Sequence, residues 1–241
     1  MRRLLDDLKA QQCIDECRVV LTLNLSDEFF DPSEHQDLKL TVIRNGMPKG
    51  FGTNHNTAFE HCDSPWFVVL NPDIRLPDHL ALEALIGGDS PSAALGLLAP
   101  LVLNSGGTME DSVRTNLTPW SLLKRLRGQR KSYRPQGPAC VGQPFFWLAG
   151  MFLVINAAAY RHVGGFDERF FLYCEDYDLC ARLYLGGYSL ALRDDVRVVH
   201  DAQRDSHRST RHLRWHLGSL IRVWLSPNFW RITARLSRFP F

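Results

Sequence analysis

The chain has 241 residues, 45% of them hydrophobic, which is enough apolar material for one core and long for two. Its 28 lysines and arginines against 26 aspartates and glutamates leave a formal charge of +2, so bulk electrostatics does not point to nucleic acid. The six cysteines form neither a Cys-x-x-Cys pair nor a zinc-finger cluster with histidine, no apolar run nears the about 20 residues of a membrane span, and Asp6 and Asp7 interrupt any signal-peptide core. A protein with reduced thiols in the cytoplasm is expected.

Residues 2 to 12 place Leu4, Leu5 and Leu8 on one face, the pattern of a short amphipathic helix. Cys17 to Leu25 reads as a buried strand ended by Ser26, Asp27 and Glu28, and Leu38 to Arg44 as a second. A loop from Gly46 to Gly52 leads into a helix over Thr53 to Cys62 that carries Asn56 in its first turns. Glycines there let the backbone approach a ligand, and a helix start directs N–H groups at it. Trp66 to Leu70 is short and apolar enough for a central parallel strand. It delivers Asn71, Pro72 and Asp73 at its C-terminal end, where open α/β sheets bind their ligands, although Asn-Pro-Asp is equally a good turn.

Leu76 to Ile86 is expected as a helix, Leu95 to Leu103 as a strand and Asn104 to Gly107 as a turn. Between residues 117 and 138 the chain turns basic, with Lys124, Arg125, Arg127, Arg130, Lys131 and Arg134 among prolines and glycines. A solvated excursion and a loop that meets a phosphorylated or lipid-linked acceptor both fit. Gln143 to Ile155 is the longest apolar run, 13 residues, and reads as a buried strand broken at Ala149 and Gly150. A short helix over Ala157 to His162 follows.

The stretch from Gly164 to Gly187 organises the rest. Gly164 and Gly165 free the backbone, Phe166 to Tyr173 is aromatic, and Glu175, Asp176 and Asp178 precede Leu179, Leu183 and Leu185. That is a helix start with carboxylates in its first turn, closed by Gly186 and Gly187. Acidic first turns also cap helices without any chemistry. Residues 188 to 199 then alternate in pieces up to His200. From Arg208 to Phe241 the chain is basic and rich in tryptophan, with Leu213, His216, Leu217, Leu220, Val223 and Trp224 as one helical stripe. Such a helix fits an anionic membrane surface, and equally the domain itself or a second copy.

Taken together, the glycine pair, Phe-Asp-Glu, the aromatic run, Glu-Asp-x-Asp-Leu and Gly-Gly-Tyr resemble the catalytic domain of family 2 glycosyltransferases, the rhamnosyltransferase-like members above all. The resemblance implies a single α/β domain of GT-A (Rossmann-like) type over residues 1 to 207, with a mostly parallel central sheet, followed by a helical tail over 208 to 241. It implies inverting transfer of a sugar, rhamnose by the Asn-Pro-Asp look, from a nucleoside-diphosphate donor to a saccharide or lipid-linked acceptor in surface polysaccharide synthesis. Asp176 takes the place of the general base and Glu175 that of its orienting partner. Asp73 and His200 take the places of ligands to Mg²⁺ or Mn²⁺. Asn56, Asn71, Trp147 and Gly150 fall where donor and acceptor bind, with Asn71 standing where other members carry an acidic residue.

One departure stands out. The family's domain opens on a strand, whereas this chain opens on a helix and has Leu23 where many members have an aspartate against the base or ribose. Either about 10 to 15 residues of strand and turn precede Met1 or donor recognition has changed. A non-catalytic relative that binds a nucleotide sugar or a partner enzyme is the alternative that follows from this departure. Location at the inner membrane face and homodimer formation are further expectations.

Overall fold

The computed structural model describes residues 1–87, 91–127, 133–201 and 210–236. Its elements run α1 (Arg2–Lys9), β1 (Val19–Leu23), β2 (Leu40–Arg44), α2 (Phe51–Phe59), β3 (Trp66–Leu70), β4 (Ile74–Arg75), α3 (Ala81–Ile86), β5 (Leu95–Asn104) and β6 (Val113–Arg114). There follow α4 (Pro119–Leu126), β7 (Trp147–Leu148), β8 (Phe152–Asn156), α5 (Ala157–His162), α6 (Glu175–Leu185), β9 (Ser189–His200), α7 (Thr210–Leu225) and α8 (Pro227–Leu236).

The central sheet has five strands in the order β3-β8-β5-β9-β4. It is mixed: β8 runs antiparallel to both β3 and β5, β4 antiparallel to β9, and only β5 and β9 pair in parallel. The expected mostly parallel sheet is corrected here, because β8 and β4 enter it against the direction of their neighbours. A second parallel pair, β1 with β2, forms a sheet of its own.

Alternation along the strands divides the apolar residues into two clusters, as side chains on a strand point to opposite faces. Leu97, Ala99, Leu153 and Ile155 meet α5, α6 and the tail through Tyr160, Leu183, Leu220, Val223, Phe229 and Ile232. Leu98, Val102, Phe152 and Val154 meet α1 and α3 through Leu4, Leu5, Leu8, Leu82 and Leu85. The tail therefore shares the main core. The expected boundary at residue 207 falls outside the described residues.

The single tail stripe expected from the sequence is split in two: Leu220 and Val223 are buried, while Leu213 and Leu217 are exposed. Residues 76 to 80 are not helical. The Asp78 carboxylate accepts from Leu80 N–H and makes a turn there, and Gln11 Oε1 accepts from Leu82 N–H, so α3 starts late.

Between β1 and β3 the structure has a cleft of about 1390 Å³. Residues Val19 to Thr22 of β1 line one side and Trp66, Phe67 and Val68 of β3 another, and among the described residues these two strands do not pair. Asn24, Asn71, Asp73 and Asp201 line the same cleft.

Candidate active site

Helix α6 begins on a strained turn. Tyr173 and Cys174 both have positive φ, 74° and 64°, in the left-handed region that costs a non-glycine residue about 1–3 kcal/mol. Neighbours on both sides hold this turn. Phe51 N–H donates to Phe171 O at 2.9 Å, Ser219 Oγ donates to Leu172 O at 2.9 Å, and Tyr173 Oη bonds His212 Nδ1 at 2.8 Å. Gly50 is required for the approach, since a Cβ there would lie 2.9 Å from Phe171 O.

The turn sets the direction of the carboxylates that follow. Asp176 Oδ2 accepts from Gly150 N–H at 2.9 Å and Oδ1 from Tyr177 N–H at 2.8 Å. Burial raises its pKa above the ordinary carboxylate value, while the Gly150 hydrogen bond and the charge of Arg114 act the other way. Glu175 is 5% exposed, and its Oε2 is buried without a hydrogen-bond partner. Burial, and then the neighbouring Asp176 charge, raise its pKa. The groups that orient Asp176 are thus Gly150 and Tyr177, not Glu175. A Cβ on Gly150 would sit 3.3 Å from Phe51 Cζ and 3.6 Å from Asp176 Cβ, so the residue type expected for this place serves close packing and a backbone N–H.

Asp73 and His200 come together from opposite parts of the chain. Ile74 of β4 pairs with His200 of β9, and Asp201 N–H donates to Asp73 O at 2.9 Å. His200 Nε2 lies 3.2 Å from Asp73 Oδ2 and its Nδ1 3.1 Å from Glu110 Oε2. Hydrogen bonding to Asp73, with Glu110 adding to it, pushes the His200 pKa up to about 9. Among the described residues no group of three or more His, Cys, Asp or Glu side chains is placed to close on one metal ion. The donor set nonetheless suits a divalent cation. Asp73 Oδ1 is buried without a partner, and a cation bound by Asp73 and His200 would displace the proton that His200 Nε2 now shares with Asp73.

The two clusters are linked through Met151, the residue before β8. Asn71 N–H donates to Met151 O at 3.0 Å, one residue beyond the Gly150 that holds Asp176. The sequence did not mark Arg114, whose guanidinium lies 4.9 Å over the Trp147 ring and whose charge acts on Asp176, nor Glu110 beside His200. Arg114 also pairs locally with Asp111, but the contacts that tie Arg114 and Glu110 to the candidate site come from parts of the chain distant in sequence.

Two expected ligand-binding residues have structural surroundings. Trp147 is 2% exposed, donates Nε1–H to Thr115 O at 2.9 Å and meets the Tyr177 ring edge-on. Asn56 uses its whole amide internally: Oδ1 accepts from Tyr160 Oη–H and Phe166 N–H, and Nδ2 donates to Phe166 O and Glu168 Oε1. It pins the turn at Gly165, where a Cβ would lie 2.5 Å from Asn56 Oδ1.

A family model described as Glycosyl transferase family 2 matches residues 1–146, and one described as Glycosyl transferase family group 2 matches residues 108–241. The chain belongs to glycosyl transferase family 2. This family 2 chain is 30% identical over 232 residues to the rhamnosyltransferase WbbL of Escherichia coli K12, covering 92% of the chain and 86% of that relative. It is 28% identical over 204 residues to the N-acetylglucosaminyl-diphospho-decaprenol L-rhamnosyltransferase of Mycobacterium tuberculosis, covering 73% of the chain but 63% of that relative. Its fold is that of a mannosyltransferase from Pyrobaculum calidifontis solved with GDP-Man and Mn²⁺, with a TM-score of 0.61 at 17% identity over 97% of the chain and 64% of that structure. Staphylococcus aureus TarS 1-349 with UDP-GlcNAc gives 0.63 at 14% identity, over 99% of the chain and 69% of that structure.

Proposed function

We propose that this family 2 chain transfers a rhamnosyl group from a nucleoside-diphosphate sugar to a saccharide or lipid-linked acceptor in polysaccharide synthesis, with inversion at the anomeric carbon. The observation that carries the reading is the Asp176 carboxylate, held by Gly150 N–H and Tyr177 N–H and linked through Met151 to the Asn71–Asp73 turn. That backbone link between Asp176 and the Asn71–Asp73 turn supports assigning the base to Asp176 and the donor's diphosphate to the turn.

In the reaction the Asp176 carboxylate takes the proton of the acceptor hydroxyl. The acceptor oxygen forms its bond to the anomeric carbon while the bond from that carbon to the diphosphate oxygen breaks, and the electron pair leaves with the diphosphate. One displacement inverts the configuration. Burial favours this step, since a carboxylate more basic than one in water draws the proton more strongly as the oxygen attacks. Mg²⁺ or Mn²⁺ held by Asp73 and His200 would offset the charge that grows on the leaving diphosphate. The rhamnosyl donor is suggested by the two relatives named as rhamnosyltransferases.

Calorimetric titration with dTDP and UDP, each with and without Mn²⁺, tests the donor site. The expected result is binding that requires the metal and is lost in Asp73→Ala. Binding that ignores both metal and substitution would refute the assignment of Asp73, and an absence of binding by either nucleotide would refute the reading as a whole.

A further inference from the structure

Helix α7 has two apolar faces, and the domain uses one. Leu220 and Val223 are buried in the core, whereas Leu213, Leu217, Ile221 and Leu225, each four residues after the last, are 51% to 77% exposed. Spacing of four on a helix keeps these side chains on one side. Trp230 on α8 adds an exposed indole, 61% accessible, whose Nε1–H is satisfied by Trp224 O.

The charge of this region is of one sign. Between Thr210 and Leu236 the chain has five arginines and no aspartate or glutamate. On a wheel of 100° per residue Arg214 falls within the exposed apolar sector and Arg211 lies beyond its edge, while Arg222 turns to the domain, its guanidinium 5.5 Å over the Phe170 ring. No described helix is long and apolar enough to cross a bilayer, so an apolar stripe with an arginine in it suits a helix that lies in the interface plane.

We propose that α7 docks this face on an anionic lipid surface, with the four aliphatic side chains and Trp230 below the headgroups and Arg214 against the phosphates. The charge decides between occupants. A second copy would bring its own arginines against Arg214, whereas an anionic bilayer complements it. The opposite side of α7 holds the turn before the base: Trp215 meets Phe171 at 4.7 Å, His212 bonds Tyr173 and Ser219 bonds Leu172. Docking would therefore bring the Asp176 site close to the bilayer. The proposal deepens the reading of a lipid-linked acceptor, and it is tested without one.

The test is co-sedimentation of the full chain with vesicles of equal parts phosphatidylglycerol and phosphatidylcholine, against vesicles of phosphatidylcholine alone. The expected result is binding to the anionic vesicles only, weakened about fivefold in Arg214→Gln, as one arginine near such a surface contributes. Leu217→Asp combined with Ile221→Asp should abolish binding and leave thermal melting and nucleotide affinity as in the parent chain. Three results would overturn the proposal: no binding to anionic vesicles, equal binding to both kinds, or light scattering that shows a dimer converted to monomer by the double substitution. A parent chain that binds nucleotide but no vesicles would separate this failure from failure of the transferase reading.

Discussion

For the proposed general base Asp176, both the direction of the carboxylate and its raised basicity come from its surroundings. Gly150 and Tyr177 N–H groups fix its two oxygens, and burial raises its pKa. Asp176→Asn keeps the shape and removes the base, so kcat should fall by about 10²- to 10⁴-fold while dTDP affinity measured by calorimetry stays unchanged. An unchanged kcat would move the role to another group. For Asn56 the expected outcome is the reverse. Asn56→Ala leaves the buried Tyr160 hydroxyl and Phe166 N–H without their acceptor, at a cost of about 1–3 kcal/mol for each unsatisfied group. Urea denaturation should show that loss with nucleotide affinity unaltered, and a selective loss of affinity would restore a donor-binding role. Asp73, Asp176 and His200 were legible as candidates because each stands at the end or start of a readable element. Glu110 was not, since its partner His200 lies 90 residues away, nor was Arg114, whose local pair with Asp111 gives no sign of Trp147 or Asp176.

At the scale of elements, the opening helix shows how one ion pair places a whole segment. Asp7 of α1 accepts from Arg75 Nε at 2.6 Å and Nη2 at 2.9 Å, and from Leu76 N–H at 2.9 Å. Burial alone would raise the Asp7 pKa, but the Arg75 and Leu76 hydrogen bonds outweigh it and hold the value below 3.8. A group lowered on folding contributes stability above its unfolded pKa and loses that contribution as pH falls through the folded value. Asp7→Asn should therefore be less stable than the parent chain at neutral pH by on the order of 1 kcal/mol, the lower range for a partly exposed pair. The difference in melting temperature should begin to close below about pH 4 and vanish below the folded Asp7 pKa. A difference that persists at lower pH would mean that the loss is of packing and not of charge.

Element boundaries were read best where the local signal was strong. Trp66–Leu70 and Ala157–His162 match their expected limits, being bounded by turn residues or by the Asn156 cap that accepts from Ala158 and Ala159 N–H. Helix α2 begins two residues earlier than expected because Phe171 O, 120 positions away, accepts the Phe51 N–H. No window of sequence near Gly50 contains that partner.

Across the whole molecule, the amino-acid sequence by itself determined the apolar periodicity, the acidic helix start at Glu175 and Asp176, and the family resemblance that the comparisons bear out. These are properties of neighbours a few residues apart, and side-chain period and capping chemistry act at that range. Tertiary structure alone decided the mixed pairing of the central sheet, the separate β1–β2 sheet with its cleft, and the division of the tail stripe into a buried and an exposed face. It also decided that Asp176 is oriented by Gly150 and that His200 is held between Asp73 and Glu110. A strand's residues are compatible with a neighbour running in either direction, and a side chain's partner is whatever the folded chain brings within about 3 Å. Those choices are made by packing across the whole domain, and so they belong to the structure.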